Sequence, residues 1–423
     1  MTQLADQGQD DDAQESALAE LPALKRAVDA GTAAFGAGWR PSRLALAPGR
    51  LELLGNHVDY NGGPVLAAAI DRFVVAAIEP TAPEADGIQV VMADLGKRES
   101  ESIDPSTLDQ WQNQSPPPSS YDYVRGTVAA ARARPDVRLV APARLAVAGD
   151  VPVGFGLSSS AALCVALTLA LHEPRPDDRE VVLRAQEAEN RAGTPCGTMD
   201  QSASIGGGVI RYDGTTLAIE RLNPELGELV FAVADSGVHR SLGASSYPLR
   251  VAESKEALAI ARRHLHDDLP NLAAIDQAGL ARLAALDQVT MPPQLLRRVR
   301  HVVTETERVH RGIEAMDKGD WHSFGALMTE SGRSSANDYE ISHPLVEELV
   351  AESLEIAGVL GARMMGGGEG GTALILLPKS AVPALTERLS LGYFARQGMG
   401  NGSPPVHVFG FAPGATTRPF ARP

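Results

Sequence analysis

The chain has 423 residues, 44% hydrophobic and 22% charged, the balance of a water-soluble globular protein with room for two or three domains. A formal net charge of −15 argues against a nucleic acid or an anionic membrane surface as the main partner. The two cysteines, Cys164 and Cys196, fit neither a CxxC nor a zinc-type spacing, so buried thiols in a reducing cytoplasm are expected.

The first 16 residues, MTQLADQGQDDDAQES, are acidic and lack the basic-then-apolar layout of a signal peptide; they read as a disordered tail. Ala17–Phe35 has helical spacing, and strands are predicted at Arg43–Ala47, Val65–Ile70, Val74–Ile78 and Ile88–Ala93. Pro48–Gly63, PGRLELLGNHVDYNGG, alternates too poorly for a strand and has too many glycines for a helix. It reads as a loop dense in hydrogen-bonding groups, either a polar turn ending in Asn-Gly or the holder of a polar ligand.

Leu145–Ala148 is a predicted strand that runs into Gly149–Leu163, GDVPVGFGLSSSAAL, followed at once by an apolar helix. The apolar stretch Ala161–Leu171 is too short to cross a bilayer and reads as a buried helix. A helix N-terminus presents unpaired N–H groups and the positive end of a dipole, which suits phosphate. Gly154 and Gly156 would let the backbone approach a polyphosphate, and Ser158, Ser159 and Ser160 add hydroxyls for oxygens or a metal ion. A plain serine N-cap would need one serine and no glycines. The Gly-Lys-Ser/Thr ending of a Walker A loop is absent, as are the protein-kinase signatures, the G-x-S-x-G elbow and the HExxH helix.

A helix at Val181–Ala192 and a strand at Val209–Tyr212 lead to a domain boundary placed near Thr215, giving an N-terminal domain 17–215 and a C-terminal domain 216–423. The second half is predicted to hold strands at Leu229–Ala234, Thr372–Leu377 and Val406–Phe411. Its helices are expected at Leu249–His264, Pro292–Asp317 and Pro344–Gly358. The glycines of Met364–Leu374, MMGGGEGGTAL, formally satisfy GxGxxG, but a strand follows where a dinucleotide site needs a helix. Such a run suits close backbone packing around a neighbouring loop or ligand. Helices and strands mix without a regular βαβ beat, so the fold class is α+β.

PGRLELLGNHVDYNGG, GFGLSSSAAL and GGGEGGTAL resemble the three ordered motifs of the GHMP small-molecule kinases, the first in the form found in galactokinases. AENRAGTPCGTMDQ, HRSLGASSYPLR, RRVRHVVTETERV and NDYEISHP extend the resemblance along most of the chain. The resemblance implies a two-domain GHMP kinase fold with the active site in the cleft between the domains. It implies ATP-dependent phosphorylation of the anomeric C1 hydroxyl of galactose or a close analogue. Arg50 and Asp200 would be the catalytic pair, the aspartate receiving the C1 proton and the arginine offsetting charge on the transferring phosphoryl group. Asn56, His57, Asp59, Gly197 and Tyr247 would meet the sugar. Gly154, Gly156, Leu157, Ser158, Ser159, Ser160 and Ala161 would hold ATP, and Tyr121 or Tyr123 would lie near its adenine. Ser160 and Glu189 would be ligands of Mg²⁺, which prefers oxygen donors. The expected partners are thus a small sugar and ATP, with no nucleic acid and no membrane, in the cytoplasm. The oligomeric state is left open, with a monomer the simpler expectation.

Four positions depart from that pattern. Asn56 stands where galactokinases carry the glutamate of Gly-Glu-His-Thr-Asp-Tyr, Glu52 replaces an asparagine, Glu369 replaces an aromatic residue, and His239-Arg240 inverts the usual order. An amide at 56 would not repel an anion, so a kinase for galacturonate or another modified galactose is an alternative. Glu52 is a candidate to take over part of the lost role. A silent sensor of sugar and ATP is an alternative of another class, against which the intact Arg50, Asp200 and serine loop weigh.

Overall fold

The structure, a computed structural model, describes residues 21–82, 87–95, 100–111, 119–238, 246–399 and 405–420. The expected acidic tail, the start of the first expected helix and the His239-Arg240 pair lie outside the described residues. No helix among them is long and apolar enough to cross a membrane.

Strand Pro64–Pro80 organises the first sheet. The two strands expected within it are one, because Asp71 and Arg72 are accommodated opposite a register shift between Pro48 and Arg50 rather than in a turn. One edge pairs with Arg43–Leu54; the other takes Val209–Asp213 and Ala143–Gly149 end to end. Ile88–Met92 joins Ala143–Gly149 in the one parallel pair among the described strands, with Glu101–Ile103 beyond it. Ile219–Leu222 pairs with Val209–Asp213, and Thr416–Pro419 returns from the far end of the chain to pair with Arg43–Leu46. The boundary expected near Thr215 therefore falls inside a hairpin of the first sheet. Thr215 lies in its turn, where Asp213 Oδ1 accepts from the Thr215 and Thr216 backbone N–H groups.

The second sheet runs Gly361–Met365, Gly371–Pro378, Leu229–Val238, Val406–Phe409, all antiparallel. Mixed helices and largely antiparallel strands make the fold α+β, in two domains. Helix Pro22–Phe35 covers one face of the first sheet over Leu44, Leu46, Phe73 and Val75. The apolar helix Ser159–Leu171 lies on the other face, flanked by Ser120–Arg132 and Asp178–Arg191. It carries no polar stripe because it is buried nearly all round.

The two domains share their interior. Phe231, Val233, Leu374 and Phe409 of the second sheet belong to the same buried cluster as Leu51, Leu53 and Leu66 of the first. Helix Trp321–Asn337 was not evident in the sequence, since WHSFGALMTESGRSSAN is rich in poor helix formers. Packing overrides that propensity: Ser331 and Ser335 are fully buried, and a Cβ at Gly332 would meet Arg363 Cβ at 2.9 Å.

Candidate active site

Strand Arg43–Leu54 runs through the first half of the segment expected to be a loop, so the loop is confined to Gly55–Gly63. Leu51 and Leu53 face the core and are fully buried. Alternation along the strand then puts Arg50 and Glu52 together on the opposite face. Arg50 donates from Nε to Asp200 Oδ1 at 2.8 Å, with Nη2 2.7 Å from the same oxygen, and from Nη1 to the Gly156 carbonyl at 2.5 Å. Asp200 stands in the first turn of helix Met199–Gly206, whose free N–H end suits a carboxylate.

A pocket opens on this pair, walled by Glu52, His57, Asp59, Gly197 and Tyr247. His57 has left-handed backbone (φ 61°); its Nε2 donates to the Gly367 carbonyl at 3.3 Å and its Nδ1 accepts from Tyr60 Oη at 2.9 Å. Burial, aided by the nearby His301 and arginine charges, lowers its pKa to about 3, so it is a neutral donor–acceptor at neutral pH. Burial, with the Glu52 and Asp200 charges adding to it, raises Asp59 to about 7. A Cβ on Gly197 would meet Asp59 Oδ2 at 2.5 Å, so this glycine makes room for the carboxylate.

Asn56 does not line the pocket. Its side chain is fully buried behind Glu52, donating from Nδ2 to Glu52 Oε1 at 2.6 Å and to the Gly366 carbonyl at 3.2 Å. Its Oδ1 accepts from Ser335 at 3.2 Å. The strand continues to Leu54, and this turns position 56 into the protein and position 52 toward the cavity.

A second cavity adjoins the first, lined by Gly154, Gly156, Leu157, the N-cap Ser158 and the first two residues, Ser159 and Ser160, of helix Ser159–Leu171. Gly154, Gly156 and Ser158 all have left-handed backbone, with φ of 85°, 64° and 57°. Left-handed residues beside right-handed ones are the backbone pattern from which anion-binding concavities are made. Ala161 is fully buried one residue further on and lines no part of it. The Gly366–Gly371 run forms the facing wall, and a Cβ at Gly366 would lie 3.7 Å from Gly156 Cα. The glycine run is thus a close backbone contact with the serine loop, as its composition suggested.

Glu189, on helix Asp178–Arg191, reaches the same cavity and accepts from Ser160 Oγ at 2.6 Å and from Gln201 Nε2 at 2.7 Å. Burial raises its pKa to about 7, with the Asp200 charge adding to the effect. An all-oxygen pair on the wall of the serine-loop cavity, with a carboxylate whose charge is poorly solvated, fits a hard cation such as Mg²⁺. Beyond Ser159 and Ser160 lies a more apolar hollow that Val74, Met92, Val153 and Tyr123 also line. Tyr121, by contrast, is packed in the core.

Arg50, Asp200, Cys196, Gly366 and Gly367 line both the first and second cavities. Cys196 and Cys164 are free thiols; Cys164 is buried and Cys196 partly exposed. Sequence reading missed Cys196 and Thr194 on these walls, and also Glu305. Fully buried, Glu305 Oε1 accepts from the Gly55 N–H at 2.9 Å and from Ser331 at 2.6 Å. The legible signal was a polar stripe, Arg298, His301, Glu305 and Arg308, at helical spacing on the buried side of a long helix.

The galactokinase galactose-binding signature matches residues 32–80, the GHMP kinase N-terminal domain matches 122–208 and the GHMP kinase C-terminal domain matches 313–393. A galactokinase of Roseiflexus sp. is 35% identical over 365 residues, covering 84% of this chain and 88% of the relative. Human galactokinase is 35% identical over 356 residues, covering 82% and 86%. The crystal structure of Lactococcus lactis galactokinase complexed with galactose superposes with a TM-score of 0.81 at 27% identity, covering 93% of this chain and 99% of that one. Leishmania major mevalonate kinase shares the fold at a TM-score of 0.59 and 17% identity, covering 88% of this chain and 98% of that one.

Proposed function

The chain belongs to the galactokinase family of the GHMP kinases, and on that basis we propose that it transfers the γ-phosphoryl group of ATP to the anomeric C1 hydroxyl of galactose. The observation that carries this reading is the ion pair of Arg50 and Asp200 on the wall common to the two cavities. Galactose occupies the pocket of His57, Asp59, Gly197 and Tyr247 with C1 toward Asp200, and the triphosphate lies along the serine loop. Asp200 receives the C1 proton as the oxygen attacks the γ-phosphorus. The new O–P bond forms while the bond to the β,γ-bridging oxygen breaks, and ADP leaves with that electron pair. Phosphoryl transfer is loose, so positioning and charge compensation supply most of the rate. Arg50 fixes the aspartate and offsets the developing charge, and the N–H groups of Gly154–Ser160 cradle the phosphates.

Ser160 and Glu189 would hold Mg²⁺, which when bound neutralises phosphate charge. The base of ATP suits the apolar hollow beside Tyr123, whose hydroxyl is within 3.0 Å of Thr194 Oγ1. A cytoplasmic setting agrees with the free thiols.

Asp200→Asn tests the mechanism through galactose-dependent ADP formation. We expect turnover to fall by about 10²–10⁴-fold, with the thermal unfolding midpoint and galactose binding retained. Wild-type turnover surviving in D200N would remove Asp200 from the mechanism. A wild-type protein that binds both ligands without turnover would make the chain a sensor.

A further inference from the structure

Glu52 is 5% exposed, yet it forms part of the wall of the sugar pocket. Arg363, fully buried on strand Gly361–Met365, donates from Nη2 to Glu52 Oε1 at 2.9 Å, and Asn56 Nδ2 donates to the same oxygen. Among the described residues both hydrogen bonds to this carboxylate fall on Oε1, leaving Oε2 able to accept from a group in the pocket. Arg363 also donates from Nε to the Met364 carbonyl and from Nη1 to the Leu53 carbonyl, which fixes the guanidinium and through it the carboxylate. Glu52 follows Arg50 by two positions on one strand face, about 7 Å along the strand. That separation spans a pyranose ring, from an anomeric oxygen at Asp200 to the hydroxyls remote from it.

Asn56 must be an amide while Glu52 is a carboxylate. Its Nδ2 donates both to Glu52 and to the Gly366 carbonyl, and a carboxylate there would face two acceptors without a proton. The pattern this chain resembles has asparagine at 52 and glutamate at 56. The two groups have therefore exchanged places around one arginine, keeping a single carboxylate.

We infer that Glu52 is the specificity-determining residue of this site, accepting a hydrogen bond from a sugar hydroxyl remote from C1 and excluding sugars with a carboxylate there, with Asn56 as its positioning residue. The inference rests on the reading of this pocket as the galactose site. Of the three carboxylates in its lining, Asp200 is paired with Arg50 and Glu52 with Arg363 behind the wall, so neither arginine is left unpaired to receive an anion, and Asp59 adds negative charge as it ionises. An anionic hexuronate would enter against that charge; a neutral hexose would not.

The test measures galactose and galacturonate binding by calorimetry without ATP, beside ADP formation with ATP and Mg²⁺, for wild type, E52Q, E52N, N56E and E52N/N56E. Wild type should prefer galactose over galacturonate by about 100-fold or more, and E52Q should weaken galactose binding about tenfold or more, as loss of a charge-assisted hydrogen bond does. E52N and N56E should each lose galactose affinity, and the double exchange should recover most of it, as expected for two residues in direct contact. Galactose binding within twofold of wild type in E52Q overturns the inference, as does equal wild-type affinity for galacturonate. Thermal unfolding monitors the fold, and if E52Q unfolds, a folded double exchange that fails to recover galactose binding also overturns it. Glu52-dependent galactose binding without wild-type turnover would instead leave the inference standing and remove the kinase reading.

Discussion

At Gly197 the lack of a side chain is a requirement set by a neighbour. The Asp59 carboxylate occupies the space a Cβ would need, and Asp59, a residue of the Gly55–Gly63 loop, lines the pocket. Gly197→Ala should therefore displace a sugar contact without touching the phosphate cavity, where Gly197 has no part. We expect KM for galactose to rise about tenfold or more, with KM for ATP changed less than threefold, in steady-state assays. Equal effects on both substrates would place the displacement elsewhere. The same reasoning assigns His57 its chemistry. Burial holds it neutral at working pH, so it offers hydrogen bonds rather than a positive charge.

Helix Pro293–Asp317 acts as a clamp from the second domain on the first. Its His301 is 2.9 Å through Nε2 from the Asn56 carbonyl, and Glu305 accepts from the Gly55 and Asn56 N–H groups at 2.9 and 3.4 Å. The backbone of the sugar loop thus finds its partners on a helix some 250 residues away. Burial alone would raise the Glu305 pKa, but the Arg308 guanidinium and other positive neighbours outweigh it and hold the group at about 2. A carboxylate kept ionised inside the protein is costly to remove, since its donors and Arg308 are left without a partner. Glu305→Ala should lower the unfolding free energy by about 3–5 kcal/mol, read from urea titration. A loss below about 1 kcal/mol would show that the clamp is dispensable.

Across the whole molecule, buried titratable groups tie stability to pH in opposing senses. Burial lowers His172 to about 4, His301 to about 4 and His57 to about 3. Between pH 6.5 and 4 the unfolded chain takes up protons there that the folded chain does not, so these histidines cost stability as pH falls. Asp59 and Glu189, raised to about 7, hold protons in the folded chain over much of the same window and so favour it as pH falls. His172 is fully buried against the Thr127 carbonyl and lines neither active-site cavity, so it isolates one term of the balance. The unfolding free energy of wild type minus that of His172→Gln should shrink from pH 7 to pH 4, by on the order of 2–3 kcal/mol. A difference independent of pH would mean that His172 takes up its proton equally in the folded and unfolded chains. Because the two domains share one interior, unfolding should register as a single transition.

Much of this protein was legible in its sequence because chemistry concentrates in short segments. The serine loop ahead of an apolar helix was recognisable from residue type and order, whereas Arg50 with Asp200 and Glu189 stood out through the resemblance to the GHMP kinases, and the described structure brings all of them to one cleft. What each atom faces was not legible. Asn56 and Glu52 lie four residues apart in one motif; Asn56 was the expected sugar contact and Glu52 a candidate for part of its role, and of the two Glu52 lines the cavity. The choice depended on how far the strand continues, and on Arg363 and Gly366, more than 300 residues along the chain. Likewise Ala161 looked equivalent to its serine neighbours until the helix turned it inward. The hairpin at Thr215 and the return of Thr416–Pro419 to the first sheet were hidden for the same reason. Residue type and spacing determined which reaction this protein could perform. Long-range strand pairing and packing decided which side chains line the cavities, because a one-residue change of phase turns a side chain from cavity to core.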